Sequence, residues 1–180
     1  MGLNANKTNC LLFQNKSSRT TVPNIYLKND LIKYEKEVKF LGIIFDEKMT
    51  FDKHINYIYE RCLKRLNLLK AICGRTWGAN SDTIMYTYRT YIRPLMEYGC
   101  VLFAHAKSDL LSKLQAIERN AIKLAFDLAP WTTNYWCYTM ITFTPILDRL
   151  KALAKQFIKK NENDFLLKPY IEGSKPSTYK

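Results

Sequence analysis

Lys53, Tyr57, Arg61 and Lys64 follow one another at intervals of four, four and three residues, with Arg65 next to the last of them. On a helix that spacing sets them along one side, with Arg65 at its edge. A row of cations neutralises phosphates with no further geometric demand, and a tyrosine among them can pack on a sugar or base. The same pattern also suits an ordinary solvated helix face, because amphipathic helices carry Lys and Arg outward. Pattern alone leaves both readings standing. Other chemistries find less support. His54 and His105 lie far apart with no partner at metal-ligand spacing, so capping or surface roles are expected of them. Cys10, Cys62, Cys73, Cys100 and Cys137 are odd in number and scattered, with no Cys-x-x-Cys pair. Neither a disulfide framework nor a zinc knuckle is indicated, and reduced intracellular thiols are expected. No Ser/His/Asp or Cys/His arrangement can be argued, so the expected catalytic residues and metal ligands are none.

The elements that would position the basic row can be read from periodicity. Strand candidates are residues 10–13, 25–27, 31–34 and 38–45, with Lys28, Asn29 and Asp30 supplying turn residues, and two or three of them should pair antiparallel. A helix capped by Thr50 or Asp52 then carries Phe51, Ile55, Ile58, Cys62, Leu66, Leu69 and Cys73 on one stripe and stops at Gly74. A second helix starts near Asn80 and Ser81 and is expected to bury Ile84, Tyr88, Tyr91, Leu95, Tyr98 and Leu102, with a kink near Arg93 caused by Pro94. Arg89 and Arg93 fall on its polar face. Ser108 is expected to cap a third helix with Leu110, Leu114, Ile117, Ala121 and Leu124 inward. Pro145 opens a fourth that uses Ile146, Leu150, Leu153 and Phe157. Residues 131–144 read as short helix or coil.

The 180 residues carry 28 Lys+Arg against 16 Asp+Glu, a net charge of +12, and 47% of them are hydrophobic. Such a chain is long enough to fill a core and is no disordered basic tail, and its charge favours polyanionic partners. Nothing near Met1 reads as a secretory signal, and no apolar run is long enough to span a bilayer. A soluble cytoplasmic or nuclear protein without a membrane partner is the expectation.

The string VKFLGIIFD at residues 38–46, followed by MTFDKHI at 49–55, resembles the segment just after the catalytic palm in reverse transcriptases of non-LTR retrotransposons, jockey-like elements among them. The likeness continues in order. LNANKTNCLLF at 3–13 is similar to an element at the edge of that palm. LNLLK at 66–70, GRTWGA at 74–79, YRTYIRPLMEYG at 88–99, LQAIER at 114–119, APWTT at 129–133 and PILDR at 145–149 are similar to successive landmarks of the thumb. The resemblance implies an α+β chain, mostly helical: a small antiparallel palm-edge and primer-grip hairpin region over 1–48, a helical thumb bundle over 49–167 and a tail over 168–180. It implies that Phe40, Leu41 and Gly42 form the primer grip, and that the face of Lys53, Tyr57, Arg61, Lys64 and Arg65 follows an RNA/DNA template-primer duplex. It also sets Lys7 at the position of a palm lysine that protonates departing pyrophosphate.

Polymerases of that family hold two Mg2+ ions on palm acids, one set in an Asp-Asp turn, and no Asp-Asp pair occurs here. The resemblance therefore implies a truncated reverse transcriptase, inactive alone, whose expected partners are the template-primer duplex and the missing polymerase core. Mg2+ would be needed only by the intact parent enzyme, and no cofactor is expected in this chain. Without a metal site Lys7 has no reaction to assist, and a loop lysine before a strand is the favoured reading. Two other classes remain open: a standalone basic nucleic-acid-binding or interaction protein, and a relic without function. Strands that would pack on an absent palm should leave apolar faces uncovered and the isolated chain marginally stable.

Overall fold

A computed structural model describes residues 8–13, 23–74 and 78–164. Lys7, Arg75, Trp77 and residues 168–180 lie outside the described residues. The chain is α+β: two antiparallel strand pairs precede a helical bundle. The first pair joins β1 (Tyr26–Leu27) to β2 (Asp30–Leu31), and the second joins β3 (Glu37–Phe40) to β4 (Ile43–Asp46) in the register Phe40↔Ile43 through Glu37↔Asp46. The stretch 38–45, read from its apolar run as one strand candidate, is therefore a hairpin. Leu41 and Gly42 both take positive φ, 47° and 85°, the backbone of a two-residue turn matched to strand twist. The 10–13 candidate contributes only an isolated parallel bridge from Cys10 to Tyr34.

Asp46 ends the hairpin and starts the bundle. Its Oδ2 accepts the Thr50 N–H and hydroxyl, both at 3.0 Å, and its Oδ1 accepts the Phe51 N–H at 2.8 Å. These bonds hold a turn in which Met49 and Phe51 are left-handed, with φ of 50° and 59°. Burial alone would push the Asp46 carboxyl up, but the bonds from Thr50 and Phe51 outweigh it and hold it below the usual range. Neither Thr50 nor Asp52 caps the helix that follows. Phe51 occupies the cap position with no side-chain bond, and Asp46 does the satisfying from five residues upstream.

Helix α1 (Asp52–Ala71) buries Ile55, Ile58, Cys62, Leu66 and Leu69, as its threes-and-fours spacing predicts. The second predicted helix is four pieces: α2 (Ser81–Thr87), a π-helical turn at Tyr88–Ile92, α3 (Arg93–Glu97) and α4 (Cys100–Phe103). Asn80 caps α2 through its Oδ1, which accepts the Thr83 N–H at 2.8 Å. Pro94 has no N–H to give, and its ring would strike the carbonyl four residues back. The wider π turn, with the Arg93 N–H reaching Tyr88 O, makes room for it. That turn advances the inward face by one residue. Tyr88, Ile92, Met96, Cys100 and Phe103 are buried, whereas Tyr91 and Tyr98 are exposed, contrary to the simple period.

Helix α5 (Ser108–Ala125) crosses α1 and supplies Leu111, Leu114, Ile117, Glu118, Ala121 and Ile122 to the core. Lys107, not Ser108, holds its cap position, and Leu110 and Leu124 are only partly covered. A short α6 (Asn134–Thr139) buries Cys137. Helix α7 (Ile146–Lys160) buries Ile146 and Leu150 but leaves Phe157 exposed.

Gly99 fastens the hairpin to this bundle. Its φ is 67°, and a Cβ there would meet Ile43 Cδ1 at 2.5 Å, so both its conformation and the close approach require glycine. Ile43 is accordingly part of the same buried cluster as the helices.

Candidate nucleic-acid interface

Three elements meet at a cleft of 340 Å³: the β3–β4 turn through Gly42, α1 through His54, Tyr57, Arg61 and Arg65, and α3 with its flanks through Pro94, Leu95 and Tyr98. Two of its lining residues are arginines and none is an acid. Tyr98, which the helical period sends to the core, instead stands at the rim and donates its hydroxyl to Leu41 O at 2.7 Å. The hairpin tip is thereby pinned to the bundle while Phe40 and Leu41, 61% and 72% exposed, project from it. The tip is thus an exposed apolar knob rather than a buried strand.

The cations are held on aromatic faces. Lys39, on β3, places Nζ 4.6 Å from the Tyr57 ring centroid and donates to its hydroxyl at 3.1 Å, and the Arg61 guanidinium lies 5.5 Å from the same centroid. The Lys39 bond, with Arg61 adding to it, holds the Tyr57 phenol below its usual range. Arg65 sits 4.2 Å over the Tyr91 ring and donates to Tyr91 O. Such stacking costs little of the guanidinium's capacity for phosphate, since a face is used and edge donors remain. The positive field is therefore preorganised between α1, β3 and the π turn.

Of the residues read from the sequence, Gly42, Tyr57, Arg61 and Arg65 come together in the cleft, with Phe40 and Leu41 above it. Lys53 does not join them, because its ammonium pairs with Glu37 on β3. Lys64 is exposed on α1 away from the cleft lining. Lys39, Tyr91 and Tyr98 are additions. A strand lysine carries no periodic signal, and the two tyrosines were displaced from the core by a π turn that composition does not announce.

His54 is a further correction. It is 2% exposed rather than a surface group, packs edge-on to Phe103 with centroids 5.3 Å apart, and accepts a long 3.4 Å contact from the Ile44 N–H on Nδ1. That contact assigns the ring proton to Nε2, which is buried with no hydrogen-bond partner among the described residues. Burial, with the Lys39 charge, pushes its pKa below 6.5. Between that depressed value and 6.5 the unfolded chain holds more protons than the folded one, so His54 makes stability fall as pH drops below 6.5. Melting curves from pH 7.5 to 5 should show a smaller acid loss for His54→Gln than for the wild type. Equal losses would assign the acid limb to another group.

Burial pushes the Cys62 thiol up to about 12, far from a reactive thiolate. Among the described residues no three His, Cys, Asp or Glu side chains come together as metal ligands. No described helix is long and apolar enough to cross a membrane.

No protein-family model and no solved structure matches the chain. Curated sequences do. The chain is 20% identical over 157 residues to a probable RNA-directed DNA polymerase from transposon X-element of Drosophila melanogaster, covering 87% of this chain and 17% of that protein. It is 22% identical over 159 residues to the RNA-directed DNA polymerase from mobile element jockey of the same species, covering 88% and 17%. It is 31% identical over 121 residues to a retrovirus-related Pol polyprotein from type-1 retrotransposable element R1 of Bradysia coprophila, covering 64% and 12%. The chain thus spans less than a fifth of the length of these relatives. Over most of its own length the chain is thus similar to RNA-directed DNA polymerases and Pol polyproteins of several non-LTR retrotransposable elements, at 20–31% identity.

Proposed function

We propose that the face formed by the β3–β4 tip and α1 grips a template-primer duplex of RNA and DNA, the role the primer grip and thumb play in a reverse transcriptase. The observation that carries this reading is the acid-free cleft with Arg61 and Arg65 stacked on its edges, directly beneath an exposed apolar hairpin tip. The cleft takes one sugar-phosphate unit, not a duplex, so the duplex lies across the face with one strand dipping in. Cations along α1 then follow the backbone, and Phe40 and Leu41 rest against the terminal sugar or base. Support comes also from the relatives, which are named as RNA-directed DNA polymerases. On this reading the chain positions nucleic acid, and its own residues supply no phosphoryl-transfer step.

Fluorescence anisotropy with a labelled RNA–DNA hybrid carrying a recessed 3′ end tests it. Contacts from Lys39, Arg61, Lys64 and Arg65 predict that log K falls linearly with log salt with a slope of roughly −3 to −4. Absence of binding at low salt, or binding indifferent to salt, would overturn the proposal.

A further inference from the structure

The bundle holds a second cationic pocket that shares no lining residue with the cleft. It encloses 390 Å³ between the π turn, α3 and the start of α7, and its charged lining is Arg89, Arg93, Arg149 and Glu97, a net excess of two positive charges. The geometry points to a phosphate-binding site here, separate from the duplex-gripping face and not dependent on it.

Arg93 is the fixed wall. It is 6% exposed, donates Nε to Glu97 Oε1 at 2.9 Å and Nη2 to Thr144 O at 2.7 Å, and stands 5.0 Å from the Phe143 centroid. Arg149 reaches the same Glu97 oxygen with Nε at 3.5 Å, and Arg89 lies 5.2 Å from the Phe143 centroid. One carboxylate and one ring therefore hold three guanidiniums around a common space. Glu97 neutralises one of them. The two Nη groups of Arg149 and the Arg89 head remain for a ligand, in planar forks that match tetrahedral oxyanions. A solvated surface would spread three like charges apart. Here the part-buried Glu97 contacts and the Phe143 ring keep them together, which is the arrangement a dianion rewards. The pocket's size admits a phosphate or diphosphate group, whether carried on a nucleic-acid strand or free.

Calorimetric titration of the full chain with inorganic phosphate, at constant ionic strength set by chloride, is the test. Saturable binding is expected, weakened about fivefold or more by Arg149→Gln and by Arg89→Gln, each the loss of one partly exposed charge contact. Lys160→Gln, about 16 Å further along α7 than Arg149, should leave it within twofold. No saturable binding, or a Lys160→Gln loss equal to that of Arg149→Gln, would overturn the proposal by reducing the effect to diffuse charge. Circular dichroism of Arg149→Gln separates a lost contact from a lost fold, and Arg149→Lys, which keeps the charge without the fork, should recover only part of the affinity. A short single-stranded DNA added to the phosphate complex distinguishes the sources: displacement assigns the site to strand phosphates, and co-binding assigns it to free phosphate. Failure here leaves the hybrid-binding test of the cleft untouched.

Discussion

Glu118→Ala is expected to lower stability by about 3–5 kcal/mol, the range for removing one partner of a buried hydrogen-bonded charge network. Glu118 is fully buried at the centre of the bundle. Its Oε1 accepts the Tyr88 hydroxyl at 3.1 Å and its Oε2 accepts the Ile146 N–H at 2.8 Å. One carboxylate thus ties the π turn to α5 and closes the first turn of α7, where Pro145 offers no side-chain cap. Alanine would leave a buried hydroxyl and a buried amide without acceptors and open a cavity besides. Thermal unfolding should shift by on the order of 10 °C for a chain of this size. A shift of only one or two degrees would mean that the network contributes little.

Glutamine at the same position separates charge from hydrogen bonding. Burial pushes the Glu118 carboxyl above 4.5, against the opposing bonds from Ile146 and Tyr88 and the nearby Arg93. From 4.5 up to that raised value the folded chain holds more protons than the unfolded one, so Glu118 makes stability fall as pH rises through the window. His54 acts with the opposite sign just below 6.5. Glu118→Gln should therefore remove the alkaline-going loss and steepen the visible acid limb, whereas His54→Gln should do the reverse. The two variants together assign the pH profile to named groups.

The uneven legibility of the fold has physical causes. Helix α1 was readable because seven apolar residues at threes and fours leave one phase, and no Pro or Gly intervenes before Gly74. The second helix was not, since Pro94 signals a disturbance but not its form. A kink would have kept the phase, whereas the π turn at Tyr88–Ile92 shifts it and sends Tyr91 and Tyr98 outward. The same shift buries Arg93, which periodicity had set on the polar face. The hairpin at 38–45 lacks the Asn-Gly or Asp-Gly pair that announces a tight turn, and its apolar content reads as one strand. Only the resemblance to reverse transcriptases implied a hairpin there. The cleft was half legible: the Tyr57, Arg61 and Arg65 face follows from helix geometry, but Lys39 and Tyr98 arrive through tertiary contacts that no local spacing encodes. His54 and Glu118 are polar residues beside apolar stripes, and whether such a residue faces water or the core depends on partners far off in sequence, Ile44 and Ile146 here.

Reversing both cleft arginines, Arg61→Glu with Arg65→Glu, is expected to weaken RNA–DNA hybrid binding on the order of 100-fold at moderate salt, since each exposed charge contact contributes up to about 1 kcal/mol and reversal replaces attraction by repulsion. The salt slope should become shallower by about two, one for each phosphate no longer neutralised. Arg65 also donates to Tyr91 O, so its reversal removes a packing contact as well as a charge. Arg65→Lys controls for that by keeping the charge while losing the planar stack. Phe40→Ala with Leu41→Ala probes the tip, whose side chains are exposed and whose removal should leave the melting temperature unchanged. That variant should bind more weakly with the salt slope intact, because an apolar contact releases no counterions. Opposite signatures from the two pairs, one in the slope and one in the intercept, are what a grip made of a cationic helix face and an apolar hairpin tip requires. If the arginine reversal leaves both affinity and slope at wild-type values, the basic face of α1 is an ordinary solvated surface.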